Sequence, residues 1–197
     1  MTLGLNCPKE AALSTTVVRC EAGRHSGGMQ DDETRLGDDP ETLNPYERKL
    51  VQDVRDHGWR SVTVGADGDA PSFSYTTGFW RSLAAPEVIV FDFPLDLAHN
   101  VFGQMYRLLR AGRLLPVGQR IEGVLSGESI FLLPADPAAA ADSLLSSRWF
   151  YKDADFPCVQ LVWADRAGLF PWQEGVAPGL VDLQPDLSRR AWAGLAG

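Results

Sequence analysis

The side chains best suited to chemistry are few and scattered. His99 lies in the run 95–111, where Leu97, Val101, Met105 and Leu108 recur at helical spacing. Successive helical residues step about 100°, so His99 points away from that stripe. It is either an edge imidazole or a base or ligand contact on the first turns of a helix. Tyr75, Thr76 and Thr77 precede Gly78 in FSYTTGF. A glycine in a strand marks a bulge or a close backbone approach to a ligand. Hydroxyls beside it suit a phosphate or a carbonyl, or else plain strand packing. Alternation sets Tyr75 and Thr77 on one face and Thr76 on the other, so at most two act together. Asp165 opens a D-R-A-G turn followed by Leu169-Phe170-Pro171-Trp172. An aspartate there suits turn capping, and Trp172 suits a packing clasp or a pocket rim.

The remaining candidates read as structural. His57 ends a helix, where the dipole favours its charged form. Cys158 starts a buried strand and reads as an inert core thiol. Glu87 follows Pro86 and can cap a helix or pair with Arg81. His25 falls in a polar lead-in. The sequence holds no G-x-S-x-G elbow, H-E-x-x-H, P-loop or G-x-G-x-x-G. Three histidines and three cysteines without C-x-x-C spacing imply no metal site and no disulfide scaffold.

The elements that must position these residues follow from periodicity. Asn44-Pro45 opens a helix with Glu47 placed for a capping box, and Gly58 closes it. Strands at 59–65 and 72–79 flank the turn residues ADGDAP and read as an antiparallel hairpin. PEVIVFDF (86–93) is apolar nearly throughout, which marks a strand buried on both faces. The 95–111 helix follows. RIEGVL (120–125) and ESIFLLP (128–134) flank Ser126-Gly127 as a second hairpin. Asp136-Pro137 opens a helix to about Arg148, and CVQLVWAD (158–165) is the last strand. The order α-β-β-β-α-β-β-α-β gives an α+β fold: one domain, a mostly antiparallel sheet, and about three helices packed on one face.

Length and charge bound the rest. The 197 residues fit one domain with tails. A net charge of −8 argues against nucleic acid and anionic membranes as partners. No apolar run is long enough for a membrane span, and the N-terminus lacks a secretory pattern, so a cytoplasmic location is the default. All 19 aromatic residues lie from Tyr46 onward. Residues 1–44 therefore read as a disordered acidic and Gly-rich segment, of which 1–28 could be an over-long gene start before Met29. Residues 45–176 form the globular domain and 177–197 a loosely docked tail, with 186–195 as an optional short helix. Arginine outnumbers lysine 15 to 3, a hint of a GC-rich bacterial gene.

The runs FSYTTGF, PEVIVFDFP, DLAHNVF, GQRIEGVL and DFPCVQLVWADRAGLFPW together resemble a bacterial family, domain of unknown function 4262, over about residues 46–175. The family pattern is similar to Y-T-I-G-L, then H-P-E-L-I-V-F, then A-H on a helix, then L-Q-L-V-W-x-D-x-x-G-x-F-P-W. Ala85 stands where that pattern has histidine, so any role of that histidine is missing here. The resemblance implies a fold unit and no particular chemistry.

Three functions compete. The first is an accessory protein that binds a small molecule or a protein partner, through Tyr75, Thr76, Thr77, Asp165 and Trp172. The second is a flavin-binding, oxidoreductase-like protein of split-barrel type, with Arg81 as the one nearby cation for the cofactor phosphate. The third is a small hydrolase or transferase with His99 as catalytic base, oriented by Asp165 or Glu87. No cofactor is strongly implied. Exposed edges of antiparallel sheets invite pairing, so a homodimer is an expectation.

Overall fold

The computed structural model describes residues 30–125, 127–188, 192 and 195. The proposed start at Met29 and His25 lie outside them. Asn44 caps α1 (Pro45–His57) by accepting from the Glu47 amide, and Glu47 answers at the Asn44 amide, so the expected capping box forms. Gly58 ends the helix at φ 84°. β1 (Arg60–Val64) and β2 (Phe73–Thr77) pair antiparallel as the alternation implied. β2 then pairs antiparallel with β3 (Glu87–Phe91).

The strand expected to run through Phe79 stops at Thr77. Gly78 takes φ 113° and starts a short helix, α2 (Phe79–Leu83). After β3 comes α3 (Leu95–Arg110). Its buried stripe is Ala98, Val101, Phe102, Met105 and Leu109, while Leu95 and Leu97 face outward. The second hairpin shrinks: β4 is only Arg120–Ile121, paired with the start of β5 (Ile130–Pro134). The helix expected over 136–148 breaks into α4 (Pro137–Ala140) and α5 (Leu145–Phe150). Ala141, Asp142 and Ser143 form turns between them. β6 (Cys158–Trp163) closes the sheet, and α6 (Leu180–Leu183) follows it.

The sheet is open, with strand order β1-β2-β3-β6-β5-β4. Every pairing is antiparallel except β3 with β6, which is parallel. The α+β class and the mostly antiparallel sheet hold. The one-sided helix layer does not. Val88 and Val90 of β3 pack with α3 and Phe79 on one face. Ile89 and Phe91 pack with Leu50, Val51 and Val54 of α1 and Phe150 of α5 on the other. All five β3 residues are buried, and a strand apolar on both sides needs a cover on each.

Residues 30–44 hold three 3-10 turns, Asp31–Glu33, Arg35–Gly37 and Pro40–Thr42, with Thr34 and Leu43 buried. Composition gives little sign of this, because apart from Leu36 and Leu43 the anchors are polar. Arg81 meets Asp31 at 2.8 Å, Lys152 meets Asp38 at 3.1 Å, and Arg35 donates to the Trp149 carbonyl. Burial works against the Asp38 carboxylate, but hydrogen bonds from Arg35 and Lys152 outweigh it and hold its pKa below the usual range. At the other end, the Gln184 side chain bonds both the amide and the carbonyl of Trp163, and Gln160 accepts from the Leu187 amide.

Candidate functional site

The residues that sequence singled out do not converge. Tyr75 is buried on the α1 side of the sheet, and its hydroxyl accepts from the Ser146 amide. Burial raises its pKa. Thr77 hydrogen-bonds Ser147 at 2.7 Å, also buried. Thr76 donates to Glu87 Oε2 at 2.5 Å and accepts from the Val88 amide. All three side chains are buried inside the fold, so Tyr75, Thr76 and Thr77 offer no accessible donor to a phosphate or carbonyl. The open sheet also does not close into the split barrel that the flavin reading implied. Arg81, its phosphate partner, is turned to Asp31.

Asp165 serves its own turn. Oδ1 accepts from the amides of Ala167 and Leu169, and Oδ2 from Ala177. Those backbone bonds, Leu169 and Ala177 first, hold its pKa below the ordinary value. Trp172 stacks on Phe170 at 5.1 Å and meets Phe131 edge-on, a half-buried clasp over β5 and β6. Neither Asp165 nor Glu87 hydrogen-bonds His99, so the expected base has neither of its expected orienting partners.

Glu87 is the residue whose weight the sequence understates. It is fully buried. Oε1 accepts from the Gly78 amide at 2.9 Å, the Trp80 amide at 3.1 Å and the Tyr151 hydroxyl, while Oε2 takes Thr76. It therefore caps α2 from across the sheet, and the alternative pairing with Arg81 is absent. Burial raises its pKa despite those bonds. Burial and the neighbouring carboxylate push Tyr151 well up, and burial likewise pushes up the Cys158 thiol. A raised thiol is a poor nucleophile. Cys158 lines a groove of about 300 Å³ beside α4 and α5, walled largely by alanines, Leu144 and Phe156. The Glu87 network is closed and satisfied. It positions α2 and α5 and has the character of structure.

What the fold does bring together is a cleft of about 550 Å³ at the β1 edge, lined by Asp53, His57, Trp59, Arg60, Ser61 and His99. α1 ends there with His57, β1 starts there, and the first turns of α3 supply His99. Trp59 stacks on His99 at 5.2 Å and on Tyr106 at 6.0 Å, with Gly103 between them on α3. A Cβ on Gly103 would meet the indole at 3.6 Å, an ordinary van der Waals contact, so Trp59 lies close against this turn of the helix. Arg60 pairs with Asp53 at 3.0 Å and covers the Tyr46 ring at 5.2 Å. Asp53 also holds Lys49. The cleft thus offers imidazole and guanidinium donors, one shared carboxylate and an aromatic wall. Of the expected site residues it contains His99 alone. His57 and Trp59 were missed because no local pattern links positions 57 and 99. Among the described residues no group of three or more His, Cys, Asp or Glu is placed to hold a metal ion. None of their helices is long and apolar enough to cross a membrane.

A family model, Domain of unknown function (DUF4262), matches residues 53–177. The chain belongs to the DUF4262 family. No curated protein and no solved structure matches it. The matched stretch begins at Asp53 in α1 and ends just past the Asp165 turn, so the DUF4262 unit includes every residue of the cleft and the whole sheet. Ala85, at the position of the expected histidine, is fully buried beside Pro86, Val88 and Met105, next to a void of about 20 Å³.

Proposed function

We propose that this DUF4262 member is a small-molecule-binding accessory protein whose site is the cleft at the β1 edge. The observation that supports this is the convergence of His57, Trp59, Arg60 and His99 from three elements on one open space of about 550 Å³. That volume falls within the range of small-ligand pockets, roughly 300–1,000 Å³. The lining suits a planar polar molecule: an aromatic wall for its face, N–H donors for its acceptor atoms, and one carboxylate for a donor. An enzymatic reading has less support, because neither His99 nor His57 hydrogen-bonds a carboxylate that would orient it as a base.

The test is side-chain and backbone NMR of the full chain, titrated separately with imidazole-4-carboxylate, nicotinamide and inorganic phosphate. Saturable shifts confined to residues 53–61 and His99, weakened in His57→Ala and His99→Ala, are the expected result. Both histidines are exposed, so these variants keep the fold. Shifts centred on the α4–α5 groove, or none with any probe, would overturn the assignment.

A further inference from the structure

We propose that the groove beside α4 and α5 is a binding site separate from the cleft, one that takes a small primary ammonium carrying an apolar body. This is independent of what the cleft binds. The groove encloses about 300 Å³ between α4, α5 and the first residue of β6. That is the lower end of the roughly 300–1,000 Å³ of small-ligand pockets, so a single ring or a short chain is the size that fits. Its floor belongs to the core. Ala140 and Leu144 are buried, and Phe156 and Cys158 pack against the same cluster. Burial pushes the Cys158 thiol up, so it stays neutral. Ala138 and Ala154 line the groove from exposed positions, and their small side chains leave its mouth open.

The charges on the lining favour a cation. They are Arg148, Asp153 and Asp155, two carboxylates against one guanidinium. Arg148 donates to Oδ1 of Asp153 at 3.1 Å. Among the described residues, Oδ2 of Asp153 and the whole Asp155 carboxylate have no partner. The one base is therefore already held, and the free charge is negative. An ammonium at the mouth donates to those free oxygens while its apolar body lies against Leu144 and Phe156. An anion of the same shape meets the unpaired carboxylate.

The backbone of the turn after α5 accounts for this imbalance. Lys152 and Asp153 both take positive φ, 53° and 58°, although neither is glycine. Single residues of that kind are uncommon, and here two stand in succession. The Lys152 amide donates to the Trp149 carbonyl and the Asp153 amide to the Arg148 carbonyl, which closes the end of α5. With the chain bent this way, Lys152 reaches the 30–44 segment, where it meets Asp38 at 3.1 Å and the Asp32 carbonyl at 2.8 Å. The second base of the turn is thus engaged away from the groove, and Asp153 remains on the lining.

Backbone NMR of the full chain, titrated with benzylamine, benzyl alcohol and benzoate, tests this, because the three share a ring and differ in charge. Benzylamine is expected to give saturable shifts at Ala140, Ala141, Leu144, Ala154 and Phe156, and the other two to bind at least about threefold more weakly at low salt. Ala138→Leu fills the mouth from an exposed position and weakens benzylamine about tenfold or more. The double variant Asp153→Asn, Asp155→Asn keeps the fold, since both residues are exposed and asparagine accepts the left-handed backbone as readily as aspartate. It leaves Arg148 as the one charge on the lining, so benzoate should then bind more tightly than benzylamine. No saturable shift with benzylamine, or shifts centred on the β1-edge cleft, would overturn the proposal. So would benzyl alcohol binding as tightly as benzylamine, benzylamine binding unchanged in Ala138→Leu, or a double variant that keeps the original order.

Discussion

Replacing Glu87 with alanine removes the acceptor on which two elements close. The Trp80 amide loses the one partner it has there, and the Tyr151 hydroxyl loses its carboxylate. The Gly78 amide keeps its 3.2 Å contact with Tyr151, and the Thr76 hydroxyl is free to rotate. An unsatisfied buried group costs about 1–3 kcal/mol, so the two orphaned donors together cost about 4 kcal/mol. That is a large share of the roughly 5–15 kcal/mol that holds a domain together. Glu87→Gln costs far less, about 1 kcal/mol, because its amide oxygen serves the Oε1 donors and its NH₂ donates to Thr76. Urea unfolding followed by tryptophan fluorescence measures both. The pH dependence separates charge from shape. Burial raises the Glu87 pKa in the folded chain, so its contribution is fully present below the ordinary carboxylate range. It is lost as pH rises through the raised value. Glutamine cannot ionise, so the gap between wild type and Glu87→Gln narrows over that rise. An alanine variant within 1 kcal/mol of wild type, or a gap that widens with pH, would refute the closed-network account.

Three further changes probe the same frame. Gly78→Ala forces a side chain to φ 113°, with its Cβ 2.6 Å from the Gly58 carbonyl oxygen. It should cost about 3 kcal/mol or more, read as a lower thermal midpoint. Tyr151→Phe removes the hydroxyl that donates to Glu87 and accepts from the Gly78 and Arg81 amides. A loss of about 2 kcal/mol is expected, with the folded chain retained on circular dichroism. For Asp165 the lowered pKa places its contribution above the ordinary carboxylate range, lost as pH falls through the lowered value. The amide resonances of Leu169 and Ala177 should titrate together in acid, and Asp165→Asn should abolish that titration.

What could be read from the sequence was what a short window determines. The Asn44–Glu47 box, the Gly58 stop and the β1–β2 hairpin each depend on residues within a few positions of one another, and each formed. The unbroken apolar run of β3 carried more than local information. A strand buried on both faces already requires cover on both, and that requirement overrides a one-sided helix layer. What could not be read was set by contacts far apart in the chain. Glu87 meets Tyr151 across 64 positions, and Thr77 meets Ser147 across 70. The hydroxyls of Tyr75 and Thr77 looked available because their partners, Ser146 and Ser147, lie on α5 with no sequence link to them. The same blindness hid the cleft. His57 read as a helix end and His99 as a lone imidazole. Trp59, which stacks on His99 and lines the same cleft as His57, sits between a helix stop and a strand start, where neither periodicity applies. A glycine offers the nearest sequence-level clue. Gly103 interrupts the outward face of α3 four residues after His99 and three before Tyr106, and a gap in a helical face is room for something large. Here the indole of Trp59 lies over that turn and stacks on His99 one turn earlier, so the aromatic wall and the imidazole reach the cleft together.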